Sequence, residues 1–141
     1  MEQESAADVK HESRFRVRYA ESDQMGVVYY ANYFVWMEIG RVELVRSFGL
    51  NYKELERTEG LFLSVIEANC RYIAPARYDQ EIAVETKVSK FSARTVEFGY
   101  RIRSVEENRL LADGWTRHMW LNRDFRPARL PAEYQAKLRL S

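Results

Sequence analysis

Asp23 lies in a polar loop, Ala20 to Val27, directly ahead of a long apolar segment. Its carboxylate could act on a carbonyl compound as a nucleophile or as a base that activates water. The apolar segment has helical spacing, and the first turn of a helix carries unpaired N–H groups and a partial positive charge that favour an anion. An aspartate in this position also commonly caps the helix or holds a turn. The residue types therefore indicate either a carbonyl-directed catalytic site or a structural turn.

Few other side chains suit catalysis. With one cysteine, Cys70, and two histidines, the sequence lacks the soft ligands of a zinc site, so we expect no metal. No Gly-x-Ser-x-Gly elbow and no glycine-rich phosphate loop are present, which argues against a serine hydrolase and against a dinucleotide cofactor. Glu38 precedes Arg41 by three residues, a spacing that favours an ion pair, and Glu43 is expected in solvent. His118 is predicted to be packed and hydrogen-bonded in the last strand.

The composition is that of one globular domain. The chain has 141 residues, of which 46% are hydrophobic and 30% charged, and this size fits a single core. Lysine and arginine number 22 against 21 aspartate and glutamate, a net charge of +1, so no global field draws the protein to nucleic acid or to a membrane. No segment resembles a signal peptide or a membrane span. We therefore expect a cytoplasmic protein, with residues 1–12 as a flexible tail and residues 13–141 as one domain.

One long helix is predicted from about Ala31 to Phe48. Its apolar positions recur at spacings of three and four and cover more than half of its circumference. Gly49 supplies the left-handed residue that commonly ends a helix. A helix this apolar must be wrapped by other elements, because a single flat partner would leave Trp36 or the opposite rows exposed.

Most of the remaining chain has the period of two that is typical of strands. Arginines 14, 16 and 18 alternate with Phe15, Val17 and Tyr19 in a first strand. Four later strands, over residues 61–73, 81–88, 96–103 and 109–121, are predicted to form an antiparallel meander. Helical segments are expected over residues 51–59 and after Pro131. This order indicates an α+β domain whose sheet covers one side of the helix, so we expect a homo-oligomer.

The loop carries a specific motif: Asp23, a glycine three residues later, then Tyr29-Tyr30-Ala-Asn32-Tyr33. This run closely resembles the 4-hydroxybenzoyl-CoA thioesterase family of hot-dog-fold acyl-CoA thioesterases. The segment Arg71-Tyr-Ile-Ala-Pro75-Ala-Arg-Tyr-Asp79 resembles the same family, and the likeness extends from Phe15 to about Leu138. It implies a curved antiparallel sheet wrapped around the central helix, paired through its edge strands into dimers and often tetramers, with active sites at the subunit interface.

The resemblance also implies roles for individual residues. In that family the aspartate that matches Asp23 is the catalytic carboxylate, either nucleophile or general base, and the backbone N–H that matches Tyr30 holds the thioester carbonyl. Many relatives carry histidine where this chain has Tyr30, so its phenol is expected to be a pocket wall or to face the substrate. No cofactor is implied. Substrate contacts are expected from the other residues of the motif: Gly26, Val27, Tyr29, Asn32 and Tyr33.

Two further groups are candidates outside the loop. Ser64 and Asn69 are polar residues of a mostly apolar strand, so each is expected to line the pocket or to be satisfied within the core. The resemblance places CoA phosphate contacts near Lys90 and Arg94, with a weaker match at Arg101, and phosphates require such fixed cations. The alternative for these cations is an exposed strand face.

The predicted activity is hydrolysis of an acyl-CoA thioester to a free acid and CoA. One alternative is a thioesterase that acts on acyl chains bound to a carrier protein, because the arginine face of the first strand would suit an acidic carrier. Another is an acyl-CoA-binding module without catalysis, which would have no need of Asp23.

Overall fold

A computed structural model of the protein describes residues 10–139 as one antiparallel sheet with three helices. The strands are β1 (Lys10–Arg16), β2 (Phe62–Tyr72), β3 (Glu81–Phe91), β4 (Thr95–Ser104) and β5 (Arg109–Leu121). The helices are α1 (Asn32–Ser47), α2 (Tyr52–Glu59) and α3 (Ala132–Arg139), and a short 3-10 turn spans Tyr19–Glu21. The predicted α+β class is confirmed, and none of the helices in this part of the chain is long and apolar enough to cross a membrane.

The sheet order is β1-β3-β4-β5-β2. The predicted meander of four consecutive strands is therefore wrong for β2, which does not lie beside β3. Tight turns join β3 to β4 and β4 to β5, whereas residues 73–80 connect β2 to β3. A connection of this length spans up to about 26 Å, while three strand spacings amount to about 14 Å. The connection therefore carries the chain across the sheet, and β2 pairs with β5 at the far edge.

Strand β1 begins earlier and ends earlier than the alternating pattern predicts. Residues 10–12, which we assigned to the tail, pair with β3, while residues 1–9 lie outside the described part of the chain. After Arg16 the backbone leaves the sheet, and Tyr19, predicted to be an inward strand residue, is exposed in the 3-10 turn. The pattern fails there because an alternating run does not encode where pairing stops.

Helix α1 packs along the sheet and buries the residues of one broad stripe. Gly40 lies so close to β3 that a methyl group there would overlap Thr86 Oγ1. The opposite rows are not covered: Val35 and Ile39 remain exposed. The predicted ion pair between Glu38 and Arg41 is absent among the salt bridges of the described residues, because the Arg41 guanidinium instead lies 3.5 Å from the Tyr100 hydroxyl.

A chain of polar groups crosses the core between α1 and the sheet. The Tyr100 hydroxyl is 2.6 Å from Thr116 Oγ1, and the same oxygen lies 2.7 Å from His118 Nε2. His118 is fully buried, which confirms the prediction of a packed, hydrogen-bonded histidine. Burial, together with the Arg41 charge, lowers the pKa of His118 to about 4, so the ring is neutral at physiological pH.

Candidate active site

The loop between β1 and α1 is a small hairpin that presents Asp23 at its tip. Ser22 and Val28 pair as an isolated bridge, and the Asp23 N–H donates to Val27 O at 2.8 Å. Gly26 closes the turn with a φ of 81°, a left-handed conformation that glycine adopts without steric cost. The predicted spacing of aspartate and glycine is therefore the spacing of a tight turn.

The Asp23 carboxylate is exposed but held in one orientation. Its Oδ1 accepts hydrogen bonds from the backbone N–H groups of Met25, at 2.8 Å, and Val27, at 3.4 Å. Within residues 10–139, Asp23 Oδ2 accepts no hydrogen bond and the carboxylate forms no salt bridge. One oxygen thus anchors the side chain, while the other faces no competing partner from the described chain.

The start of α1 offers two backbone donors beside this loop. The cap residue, Ala31, has no side-chain hydrogen bond, and the carbonyls of Tyr29 and Tyr30 accept from Asn32 and Tyr33. No described residue accepts from the N–H of Tyr30 or of Ala31. Such N–H groups at the positive end of a helix bind a carbonyl oxygen that gains negative charge.

Asp23 and the free N–H groups lie in the same small region. The Asp23 backbone pairs with Val27, and the three residues from Val27 to Tyr30 span at most about 10 Å. The carboxylate and the backbone donors at the start of α1 therefore belong to one short segment of the chain.

Glu21 fixes both ends of this loop, a role that the sequence analysis missed. The residue is only 5% exposed, and its carboxylate accepts from the Arg18 backbone N–H at 2.8 Å and from Trp36 Nε1 at 2.9 Å. Its backbone carbonyl accepts from the Tyr29 N–H at 2.9 Å and from Asn32 Nδ2 at 3.0 Å. A glutamate in a polar loop gives no sequence signal of burial, because its partner Trp36 comes from the helix that follows.

An aromatic pocket of about 310 Å³ adjoins the start of α1. The Tyr72 hydroxyl donates to the Tyr30 carbonyl at 2.9 Å, and the Tyr33 hydroxyl accepts from the Ala76 N–H at 3.0 Å. The rings of Tyr33 and Tyr72 meet edge to face at 5.0 Å. Burial raises the pKa of both phenols, so they are neutral hydrogen-bonding groups. The pocket is lined by Val28, Tyr30, Tyr33, Tyr72, Ile73, Ala74 and Pro75.

The structure brings together the motif residues of the loop and separates the strand candidates from them. Gly26, Val27, Tyr29, Tyr30, Asn32 and Tyr33 all lie within the loop and the first turn of α1. Ser64 donates to the Met119 carbonyl at 2.8 Å, so its hydroxyl is satisfied by β5. Asn69 lies opposite Trp115 on the sheet face away from α1, in a separate groove.

Lys90 and Arg94 lie at the far end of β3 from the loop. The β3 end near Glu81 adjoins the loop through the bridge between Val27 and Arg77, whereas Lys90 is nine residues further along the strand. At about 3.3 Å per residue this separation is about 30 Å. Both cations are exposed, and within one chain they do not reach the Asp23 loop.

Comparison with known proteins identifies the family to which this chain is similar. The Thioesterase-like superfamily matches residues 17–138. YneP of Bacillus subtilis, provisionally named an acyl-CoA thioesterase, is 41% identical over 61% of this chain and 62% of its own length. The chloroplastic acyl-acyl carrier protein thioesterase ATL3 of Arabidopsis thaliana is 30% identical over 90% of this chain and 66% of its own length. The chain thus spans less than two thirds of the length of these curated relatives.

A solved structure with a similar fold is that of the DHNA-CoA thioesterase of Staphylococcus aureus. It is 29% identical, with a TM-score of 0.85, and the match covers 92% of this chain and 90% of that one.

Proposed function

The chain belongs to the Thioesterase-like superfamily, and on that premise we propose that it is an enzyme that hydrolyses acyl-CoA thioesters to a free acid and CoA. The observation that carries the proposal is an oriented carboxylate with one free oxygen, that of Asp23 in the hairpin, in the same short segment as the free N–H of Tyr30 at the start of α1. The names of the relatives support a thioester as the substrate.

The N–H of Tyr30 polarises the thioester carbonyl in this proposal. As the carbonyl carbon becomes tetrahedral, its oxygen gains negative charge, and the positive end of α1 stabilises that oxyanion. The Tyr30 phenol is not required for this step, because the donor is the backbone. The aromatic pocket beside it offers apolar walls to the acyl group.

Asp23 either supplies the attacking oxygen itself or activates the water molecule that supplies it. As a nucleophile, its free Oδ2 bonds to the carbonyl carbon, the C–S bond breaks, and the CoA thiolate leaves and takes a proton from water. Water then hydrolyses the mixed anhydride, which releases the acid and restores the carboxylate. As a base, Asp23 instead takes a proton from the water that attacks. The backbone hydrogen bonds to Oδ1 favour the nucleophile, because they orient the carboxylate and leave Oδ2 free to attack.

A second copy of the chain completes the CoA site in this proposal. Strand β2 is an edge strand, and antiparallel pairing of two such edges about their middle sets Phe62 of one copy opposite Tyr72 of the other. Arg94 lies near that end of β2, since its carbonyl accepts from the Trp120 N–H at 2.9 Å and Leu121 pairs with Phe62. Arg94 of one copy then approaches the pocket of the other, where it can bind a CoA phosphate.

A carrier-bound acyl chain is the second candidate substrate, favoured by the name of the Arabidopsis relative. The arginines of the first strand support it weakly, because each is paired with a carboxylate. Arg14 contacts Glu12 at 2.6 Å, and Arg16 contacts Glu106 at 3.4 Å. Paired cations offer less attraction to an acidic carrier, so we place CoA first.

The test is release of thiol from a panel of short, medium, long-chain and aromatic acyl-CoAs by the wild type and by Asp23→Asn. Loss of the charge with retention of the shape should lower kcat at least about a hundredfold, the scale of a lost acid–base or nucleophilic group. Glu43→Gln is the matched control, because Glu43 lies eleven residues beyond the first residue of α1 and its ion pair with Arg46 is largely exposed. Equal rates for wild type and Asp23→Asn would remove Asp23 from the mechanism, and activity only on acyl-carrier substrates would select the second candidate.

A single turnover in heavy-oxygen water separates the two roles of Asp23. Label in the Asp23 carboxylate would support the anhydride, whereas label confined to the product acid would eliminate it.

A further inference from the structure

Tyr72, the last residue of β2, contacts the backbone at the start of α1. Its hydroxyl donates to the Tyr30 carbonyl at 2.9 Å, across 42 residues of sequence. The Tyr33 N–H donates to the same carbonyl at 3.3 Å, which is longer than an ordinary N–H···O hydrogen bond. Of these two contacts to the Tyr30 carbonyl, the one from the sheet is therefore the shorter.

The Tyr30 carbonyl shares a peptide unit with the N–H of Ala31. In a planar trans peptide the C=O and the N–H point in opposite directions. Because this carbonyl points into α1, towards the Tyr33 N–H, the Ala31 N–H points away from the body of the helix. The preceding peptide unit repeats the arrangement: its Tyr29 carbonyl accepts from the Asn32 N–H at 2.9 Å, and its N–H is that of Tyr30. The two N–H groups that lack an acceptor in the described chain thus both point away from α1.

The hydroxyl of Tyr72 acts on one of these two donors through the peptide bond. Connected hydrogen bonds polarise one another, so a donor at the Tyr30 carbonyl makes the Ala31 N–H a stronger donor in turn. The same hydrogen bond ties the first turn of α1 to the sheet. The cap residue itself cannot do this, because alanine lacks the side-chain oxygen that commonly caps a helix.

The ring of Tyr72 is held independently of its hydroxyl. It meets the ring of Tyr33 edge to face at 5.0 Å and that of Tyr30 at 6.3 Å. Burial, together with the Cys70 thiol, raises the pKa of Tyr72, so the phenol keeps its proton and can donate. Removal of the hydroxyl alone should therefore leave the ring in place.

We propose that Tyr72 is a positioning residue of the thioester site: its hydroxyl holds the peptide between Tyr30 and Ala31 so that the Ala31 N–H donates to the thioester carbonyl beside the Tyr30 N–H. The inference rests on the proposed thioesterase activity and adds a second donor to it. Preorganised donors stabilise the charge that develops on the carbonyl oxygen. Because Tyr72 acts through the peptide, its effect falls on the chemical step and is the same for every acyl group.

The test is Tyr72→Phe, which removes the hydroxyl and keeps the ring. On each acyl-CoA of the panel that the wild type hydrolyses, kcat should fall about fivefold, the scale of one hydrogen bond, with KM changed by less than about twofold. The fold loss should be equal for aliphatic and aromatic esters, because a hydroxyl that contacted the acyl group would discriminate between them. Tyr134→Phe is the matched control and should leave kcat unchanged. Tyr134 lies on α3, which contacts the opposite end of α1 through the 3.2 Å hydrogen bond from Lys137 to the Gly49 carbonyl.

Infrared spectroscopy measures the second donor directly. The probe is an acyl-CoA of the panel with carbon-13 at its thioester carbonyl, bound to Asp23→Asn with and without Tyr72→Phe. A weaker donor polarises the carbonyl less, so the C=O stretching band of the bound ester should lie at a higher wavenumber in the double variant.

An unchanged kcat, a loss confined to KM, a fold loss that differs between acyl groups, or an unshifted band would each overturn the inference. A large fall in Tm of Tyr72→Phe would assign the hydroxyl to the stability of the fold instead. If the wild type hydrolyses no ester of the panel, the proposed activity is rejected and this inference with it. Hydrolysis by the wild type without an effect of Tyr72→Phe rejects the inference alone.

Discussion

Glu21 and Asp23 are carboxylates two residues apart with opposite surroundings. Glu21 is buried and accepts hydrogen bonds through both its carboxylate and its backbone carbonyl, whereas Asp23 is exposed and leaves one oxygen unpaired. A buried carboxylate whose oxygens are all hydrogen-bonded holds neighbouring groups in place, whereas an exposed carboxylate with a free oxygen can react with a substrate. We therefore treat Glu21 as a positioning residue for the proposed reaction.

Glu21→Gln should destabilise the fold and lower activity together. The amide places an N–H group against a donor that the carboxylate now accepts from, either the Arg18 backbone or Trp36 Nε1. A buried mismatch of this kind costs about 1–3 kcal/mol, measured as the free energy of unfolding in urea. Glu43→Gln is the control, because its ion pair with Arg46 is largely exposed and such pairs contribute less than about 1 kcal/mol.

The kinetic signature of Glu21→Gln distinguishes positioning from chemistry. If Glu21 acts through the loop, kcat falls less than it does in Asp23→Asn, and the pH profile keeps its shape. Unchanged stability and unchanged kcat would contradict the role assigned to Glu21.

His118 should make stability depend on pH below neutrality. Its folded pKa is about 4, against an ordinary value of 6.5, so the unfolded chain takes up this proton at a higher pH than the folded one. The stability contributed by the neutral ring is present above about pH 6.5 and is lost as the pH falls towards 4, by up to about 3 kcal/mol. Urea unfolding of wild type and His118→Gln across this window should give a shallower pH slope for the variant. Parallel slopes would show that another group is responsible.

Helix α1 contributes both to the hydrophobic core and to the candidate active site. Its middle is pressed against β3 at Gly40, and its first turn presents the free N–H groups beside Asp23. The close approach at Gly40 fixes the helix on the sheet and, through it, the position of those donors. A change in the distance between α1 and the sheet should therefore also shift the backbone N–H donors of the site.

Gly40→Ala should destabilise the protein, although alanine favours a helix by about 1 kcal/mol. The new methyl group would overlap Thr86 Oγ1 and lie 2.9 Å from Val84 Cγ1, and overpacking of this kind costs about 1–3 kcal/mol. The expected net loss is at least about 1 kcal/mol in the free energy of unfolding, from urea titration. Thr86→Ala in the same chain removes the overlapping oxygen and should restore part of the loss. A double variant no more stable than Gly40→Ala would argue against this contact.

At the scale of the whole molecule, the sheet described by residues 10–139 has two edge strands, β1 and β2, and α1 has one face with exposed apolar residues. Among the described residues, strand β2 pairs only with β5, and Val65 and Ile66 on it are 53% and 47% exposed. Val35 and Ile39 are exposed apolar residues of α1. An unpaired edge with apolar side chains is a surface for another strand, which supports the proposed pairing of two copies.

The double substitution Val65→Lys and Ile66→Lys should prevent the pairing of two β2 strands, because charged side chains on an edge strand oppose strand addition. Sedimentation velocity should give half the wild-type mass, and CoA affinity should fall, since Arg94 of the second copy no longer reaches the pocket. Tyr78→Lys, which makes a comparable change at an exposed aromatic residue of the β2–β3 connection, is the control. A monomeric wild type, or a variant of unchanged mass, would contradict the β2 interface.

The sequence by itself determined the α+β class, the long helix, predicted over about residues 31–48 and observed over 32–47, and the loop motif with Asp23 and Gly26. These features depend on local spacing: a period of three to four for α1, a period of two for the strands, and an aspartate–glycine turn. The match of the Thioesterase-like superfamily to residues 17–138 confirms the family resemblance that the motif indicated.

Only the tertiary structure decided the sheet order, the burial of Glu21 and the placement of Asn69, Lys90 and Arg94. Strand neighbours are chosen by the path of the connections, so β2 lies beside β5 although β3 follows it in the chain. Glu21 is buried because Trp36, fifteen residues later, donates to it. Such contacts join residues distant in sequence, and their energy comes from packing and hydrogen bonds that no local pattern encodes.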